Sequence, residues 1–150
     1  MNGNSEINMD KIRFMLDTNV IIDTFNRSLD LSVFLADFPD CEIYINPVVA
    51  IEVLAKTGMN EDEEAAARAL LDSFKWTEID KTVCEVAVQI RRAKELRLPD
   101  ALIAASAIIL NATVLSNDSH LRDYQRSGYT ARAIKTGNEG IVNFTFEPMN

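Results

Sequence analysis

IRFMLDTNVIID, residues 12–23, changes period at its centre. Its first five residues are an apolar run of strand length that stops at Asp17. Helical spacing takes over at once, with Val20, Ile21 and Phe25 on one side. An apolar strand running straight into an amphipathic helix is the opening unit of a parallel sheet covered by helices.

The same alternation continues along the chain. A second helix carries Leu31, Phe34, Leu35 and Phe38, and Pro39-Asp40 turns the chain into a β-branched and aromatic strand at 41–45. Pro47 suits the first turn of a helix bearing Val48, Ile51, Val53 and Leu54, which ends at Gly58. Asn60 and Glu63 have capping-box spacing for a helix over 61–74, whose early carboxylates Glu61 to Glu64 complement the helix dipole. Residues 76–79 read as a strand and 82–96 as an amphipathic helix with Val83, Val86 and Ile90 inward. Pro99 and Asp100 open a helix, ALIAASAIIL at 101–110, that is apolar on nearly every side and so expected to be buried. A strand at 112–116, a helix at 118–125 and a last parallel strand at 132–135 follow. The tail, IVNFTF at 141–146, suits an edge strand or a dimer contact. The expected class is α/β, a three-layer α/β/α arrangement around a central parallel sheet of about five strands. One domain over 12–136 is expected, with a flexible extension at 1–11 and a tail at 137–150.

Composition bounds the possibilities. The chain has 150 residues, 47% of them hydrophobic and 25% charged, as in an ordinary globular domain with a proper core. The longest nearly uncharged apolar stretch, 101–112, is too short to span a membrane. The first residues lack the basic-then-apolar order of a signal peptide, so a cytoplasmic location without membrane attachment is expected. Cys41 and Cys84 are isolated and read as reduced, buried thiols. A single histidine, His120, makes a zinc site or a histidine-based triad improbable. Lys and Arg number 15 against 23 acids, a net charge of −8. Taken alone, that balance argues against a nucleic-acid partner, which favours clustered cations.

Four acids nevertheless stand beside apolar runs rather than among other charges. Asp17 ends the first strand, Glu52 interrupts PVVAIEVLA, Asp100 lies in the first turn of the buried helix, and Asp118 follows ATVLS. Each has a plainer reading. Asp100 could complement a helix dipole, Asp118 could be an N-cap, and Glu52 could be an exposed helix position. Asp17 is the hardest to explain this way. In a parallel sheet, ligands bind beyond the carboxyl ends of the strands, where Asp17 and Asp118 fall. Carboxylates gathered at one place repel each other and persist by taking up protons or a cation. An all-oxygen donor set selects Mg²⁺ or Mn²⁺, one ion or two. Such ions can bind a phosphodiester, acidify a water and stabilise a leaving oxygen.

LDTNVIID at 16–23, AIEVL at 50–54, LPDALIAASA at 98–107 and LSND at 115–118 resemble the ordered motifs of PIN-domain ribonucleases. The nearest group is the VapC-type toxins of bacterial toxin–antitoxin pairs, and the resemblance covers 12–136. It implies a PIN-like fold and a Mg²⁺- or Mn²⁺-dependent endoribonuclease. Asp17, Glu52, Asp100 and Asp118 would then be the catalytic, metal-binding acids. Thr18, Asn19 and Ser116 would be polar neighbours orienting them. An RNA substrate, a cognate antitoxin protein and a homodimer are implied by the same resemblance. The chain departs from the family pattern in places. Ser116-Asn117-Asp118 stands where Thr-Arg-Asn/Asp is common, and His120-Leu121 where Asp-Phe is common. Val49 takes a place often held by Thr. The missing arginine removes a phosphate contact, and Asp123 becomes an alternative fourth acid.

Two basic clusters qualify as RNA contacts. Arg122, Arg126 and Arg132 follow Asp118 closely and are preferred on that adjacency. Arg91, Arg92, Lys94 and Arg97 lead to Asp100, and equally suit a solvated helix end. His120 is expected to be an exposed helix residue, and Trp76 and the phenylalanines to lie in the core. Two other functions compete with a nuclease. A catalytically inactive PIN-fold binding module would not need all four acids. A receiver-type signalling domain would need an acidic pair after the first strand and a mid-chain acceptor Asp, where this chain has Asp17-Thr18-Asn19 alone.

Overall fold

The computed structural model describes residues 11–135 and 145–148. Strand β1 (Arg13–Leu16) lies between two parallel neighbours, β2 (Glu42–Ile45) and β4 (Thr113–Leu115). Phe14 pairs with Ile43 on one side and with Thr113 on the other. Beyond β2 lies β3 (Lys75–Trp76), and beyond β4 lies β5 (Thr130–Lys135). β6 (Thr145–Pro148) joins β5 antiparallel, giving the order β3-β2-β1-β4-β5-β6. The five expected parallel strands are thus present, with one antiparallel strand added at an edge.

Successive side chains of a strand face opposite ways. Phe14, Met15 and Leu16 are all at most 1% exposed, so both faces of β1 are covered. The helices that cover the sheet are α1 (Thr18–Phe25), α2 (Leu31–Leu35), α3 (Pro47–Leu54), α4 (Glu61–Asp72), α5 (Lys81–Arg92), α6 (Leu98–Leu110) and α7 (Ser119–Arg122). The result is the expected three-layer α/β/α arrangement. Apolar α6 lies against β1 and β4 and packs on α5, while α3 packs on α1, α4 and α6. Phe14 meets the rings of Phe34 and Phe38 edge-on, at 5.4 and 5.3 Å between centroids. Asn60 and Glu63 form the expected capping box reciprocally. Asn111 ends α6 with φ +54, the left-handed turn that closes many helices.

Several local expectations differ from what the fold contains. β3 is shorter than 76–79, because its ladder with β2 ends where β2 does, at Ile45. Trp76 is 47% exposed rather than core, its indole N–H donating to the Leu71 carbonyl. α5 stops at Arg92 rather than at residue 96, because Lys94 adopts φ +56. α7 ends at Arg122 because residues 124–129 fold back on it. Tyr129 donates to the Leu121 carbonyl at 2.7 Å, and the Tyr124 and Tyr129 rings meet edge-on. Cys84 is exposed and Cys41 half-buried, both free. The extension over 1–10 and residues 141–144 of the tail lie outside the described residues.

One buried side chain joins the helices that carry two of the four acids. Asn46 precedes Pro47 at the N-cap of α3 and accepts from the Val49 N–H. Its Nδ2 donates to the Leu102 carbonyl and the Ser106 hydroxyl on α6. Asn46→Ala should lower unfolding stability by about 2 to 3 kcal/mol, the sum of a lost cap and buried groups left unpaired. Urea unfolding checks this; a midpoint shift worth under about 0.5 kcal/mol would contradict the shared-cap role.

Candidate active site

The strand order reverses between β1 and β4, which is where open parallel sheets bind ligands. Asp17 leaves β1 there, and Ser116 leaves β4 beside it. The Asp17 N–H donates to the Leu115 carbonyl at 3.1 Å, extending the β1–β4 ladder by one rung. Asp17 holds the N-cap position of α1, yet its side chain caps nothing. Its Oδ2 instead accepts from the Ser116 hydroxyl at 2.8 Å. The same hydroxyl oxygen accepts from the Asp118 N–H at 3.0 Å. The donor on one side fixes the direction of the hydroxyl proton on the other, toward Asp17.

The other acids arrive from three further elements. Glu52 is exposed on α3, and its Oε1 accepts from the buried Thr18 hydroxyl at 2.6 Å. Asp100 is largely buried in the first turn of α6, with the Arg97 guanidinium 3.6 Å from its Oδ2. Asp118 caps α7 by accepting from the His120 N–H, and the His120 ring Nδ1 lies 3.1 Å from the same oxygen. His120 is exposed, as expected, but engaged with an acid. Asn19 stands exposed in the first turn of α1. Asp123 is exposed at the far end of α7, paired with Arg122.

The charges of these acids act on one another. Burial pushes the Asp17 carboxyl up from the usual 3.8 to about 6. The Ser116 hydroxyl and the Thr18 backbone oppose that rise, while the negative charges of Asp100 and Asp118 add to it. Asp100 is likewise pushed up, chiefly by burial. Arg97 and His120 pull it back, while Asp118 and Glu52 raise it further. Asp100 and Asp118 thus act on Asp17, and Asp118 and Glu52 act on Asp100. Among the described residues no three carboxylate, thiol or imidazole groups stand close enough together to hold one ion. The donor chemistry nonetheless fits a hard divalent cation: carboxylate oxygens, with one imidazole already committed to Asp118.

An open groove of about 530 Å³ reaches Asp100 and Asp118, and Arg91, Lys94, Arg97 and His120 line it with Glu95 and Leu96. The preferred basic cluster does not line it. Arg122 pairs with Asp123, Arg126 contacts Gln89 and Glu95, and Arg132 sits on β5. Sequence reading also overlooked Asn46 and Ser106. The signals were an Asn directly before a helix-opening Pro, and a lone hydroxyl within ALIAASAIIL.

The family model for the PIN domain matches residues 14–127. No curated protein matches the sequence. Among solved structures, the fold is similar to DNA-bound VapBC from Salmonella typhimurium, with a TM-score of 0.69 and 19% identity, covering 81% of this chain and 98% of that one. It is similar to VapBC2 from Rickettsia felis bound to a promoter DNA fragment, with a TM-score of 0.68 and 20% identity over the same shares, 81% and 98%. A toxin–antitoxin complex from Klebsiella pneumoniae gives 0.62 and 24% identity, covering 77% of this chain and 93% of that one. At these identities the likeness is one of fold.

The raised Asp17 makes a prediction about stability. The folded chain holds that proton more tightly than the unfolded chain. Its contribution is therefore complete below the ordinary 3.8 and lost as pH rises to about 6. In chelator, Asp17→Asn should raise unfolding stability at pH 7 by up to about 3 kcal/mol, and by much less at pH 4. Thermal melts at the two pH values measure it; an equal or opposite effect would refute a buried, uncompensated charge.

Proposed function

The chain belongs to the PIN-domain family, and on that footing we propose that it is a metal-dependent endoribonuclease, the VapC-type toxin of a type II toxin–antitoxin pair. The observation that carries the reading is a buried Asp17 at the strand-order reversal, which feels the charges of Asp100 and Asp118, while Asp100 feels those of Asp118 and Glu52. Four acids contributed by separate elements, two of them raised by burial and like charge, constitute a site that favours a positive ligand.

Asp17, Glu52, Asp100 and Asp118 would hold Mg²⁺ or Mn²⁺. When bound, such an ion neutralises phosphate charge and lowers the pKa of water. Ser116 holds Asp17 in one orientation and shields it from the cap role its position invites. Thr18 does the same for Glu52 through a single short hydrogen bond. The reaction proposed is hydrolysis of an RNA phosphodiester by water, a chemistry that acids and a divalent ion supply without a nucleophilic side chain. Asn19, exposed in the first turn of α1, would be a further polar neighbour of these acids.

Partners are proposed from the same footing. The structures of like fold are toxin–antitoxin complexes, which supports a cognate antitoxin. Exposed Val88 on α5 and Leu98 on α6 offer apolar surface for a protein partner or a second copy in a homodimer. No described helix is long and apolar enough to cross a membrane, and a cytoplasmic site of action is proposed.

Purified protein should cut single-stranded RNA with Mg²⁺ or Mn²⁺ and stop in excess chelator. Asp17→Asn should abolish cutting while the circular-dichroism spectrum stays unchanged. Ser116→Ala should slow cutting about 10- to 100-fold, as expected for loss of a group orienting a ligand. Cutting that continues undiminished in chelator or in Asp17→Asn would retire the mechanism.

A further inference from the structure

RRAKELR, residues 91–97, holds the first cations upstream of Asp100. Its local fold gathers them. Helix α5 ends at Arg92, with Ala93 as C-cap. Lys94 then takes φ +56, the left-handed conformation that helix ends ordinarily assign to glycine. The Lys94 N–H donates to the Arg91 carbonyl at 2.9 Å, and buried Leu96 anchors the loop. Arg91 closes it by donating from Nη1 to the Leu96 carbonyl at 2.9 Å. This compact turn puts Arg91, Lys94 and Arg97 along the groove that contains Asp100, Asp118 and His120.

The one acid within the turn is balanced from outside it. Glu95 Oε1 accepts from the Tyr124 hydroxyl at 2.8 Å and lies 3.6 Å from the Arg126 guanidinium. Arg126 thus neutralises a groove carboxylate and is itself occupied. Arg91 and Lys94, together with Arg97 shared with Asp100, set the field of this wall, within a chain whose net charge is −8. Arg97, 3.6 Å from Asp100, marks the junction between the basic wall and the acids. Among the described residues no Phe, Tyr or Trp lines the groove, and its one flat ring, His120, is engaged with Asp118.

Resting on the nuclease reading above, we infer that Arg91, Lys94 and Arg97 form the phosphate track of this protein. They hold the backbone of the RNA strand next to the scissile bond and do not read its bases. Contacts to phosphate fix position and register, and carry no sequence information.

The test compares full-length wild type with the triple variant Arg91→Gln/Lys94→Gln/Arg97→Gln. A second triple, Lys56→Gln/Arg68→Gln/Lys81→Gln, controls for charge alone, and Arg122→Gln/Arg132→Gln represents the competing cluster. Fluorescence anisotropy reads binding of a 2′-O-methyl RNA oligomer in chelator across a salt series. Cutting of the matching unmodified RNA in Mn²⁺ is followed in parallel. The track variant should lose roughly tenfold in affinity, and its salt slope should flatten by about 2, near 0.7 per removed single-strand contact. Its KM should rise, and the double variant Arg91→Gln/Lys94→Gln, which keeps Arg97 beside Asp100, should raise KM with kcat and Mn²⁺ binding by calorimetry close to wild type. The loss should be the same for oligomers of different sequence. A wild-type salt slope in the track variant overturns the inference, as does an equal loss in the charge control or a larger one in Arg122→Gln/Arg132→Gln. Unchanged RNA binding with lost affinity for an acidic peptide would assign the wall to a protein partner and overturn it too. Wild type that binds the oligomer through these three residues, yet cuts nothing in Mn²⁺, supports the track and fails the nuclease reading alone.

Discussion

Everything distinctive about this molecule depends on one hydroxyl, that of Ser116. It donates to Asp17 and accepts from the Asp118 backbone. That arrangement requires β1 and β4 to end in register, and Leu16 does pair with Leu115. The chain that continues from β1 enters α1, and the chain that continues from β4 enters α7. Two segments about a hundred residues apart in sequence therefore leave the sheet side by side. The cost is a carboxylate buried at the seam, with its proton affinity raised to about 6. Such a cost is kept where function benefits from it, since burial of an unpaired charge opposes folding.

The second constraint is the distribution of charge. A net acidic chain offers no general attraction to a polyanion. Here the acids separate into different tasks. Glu61 to Glu64 serve the N-terminus of α4, Glu42 is held by Arg13 and Lys75, and Glu95 is answered by Arg126. What remains around the groove is a short wall of cations meeting a small set of carboxylates. Local sign, rather than the net value, governs what approaches.

Much of this was legible from residue order, and the reasons are physical. The change from strand to helix period at Asp17 located the end of β1, and an apolar helix opened by Pro99-Asp100 located a buried acid. Both are short-range signals carried by neighbouring residues. Pairings across the chain left no such trace. That Arg126 neutralises Glu95 depends on how residues 124–129 fold over α7, which no local spacing encodes. The adjacency of Arg126 to Asp118 likewise gave no sign of its tertiary pairing with Glu95. Lys94 also misled, because a lysine gives no warning of a left-handed turn that usually announces itself with glycine. The length of β3 and the exposure of Trp76 were hidden for a related reason: an edge strand extends only as far as its single neighbour permits.

Asn46 has a consequence of another kind. Asparagines age chemically when the backbone nitrogen of the next residue attacks the side-chain amide and converts it to aspartate. The next residue here is Pro47, whose ring nitrogen carries no hydrogen and cannot close that cycle. Conversion would replace the two donors to Leu102 and Ser106 with a charge in a fully buried position. The order Asn-Pro thus closes the usual deamidation route at the junction of α3 and α6, which sets the relative placement of Glu52 and Asp100.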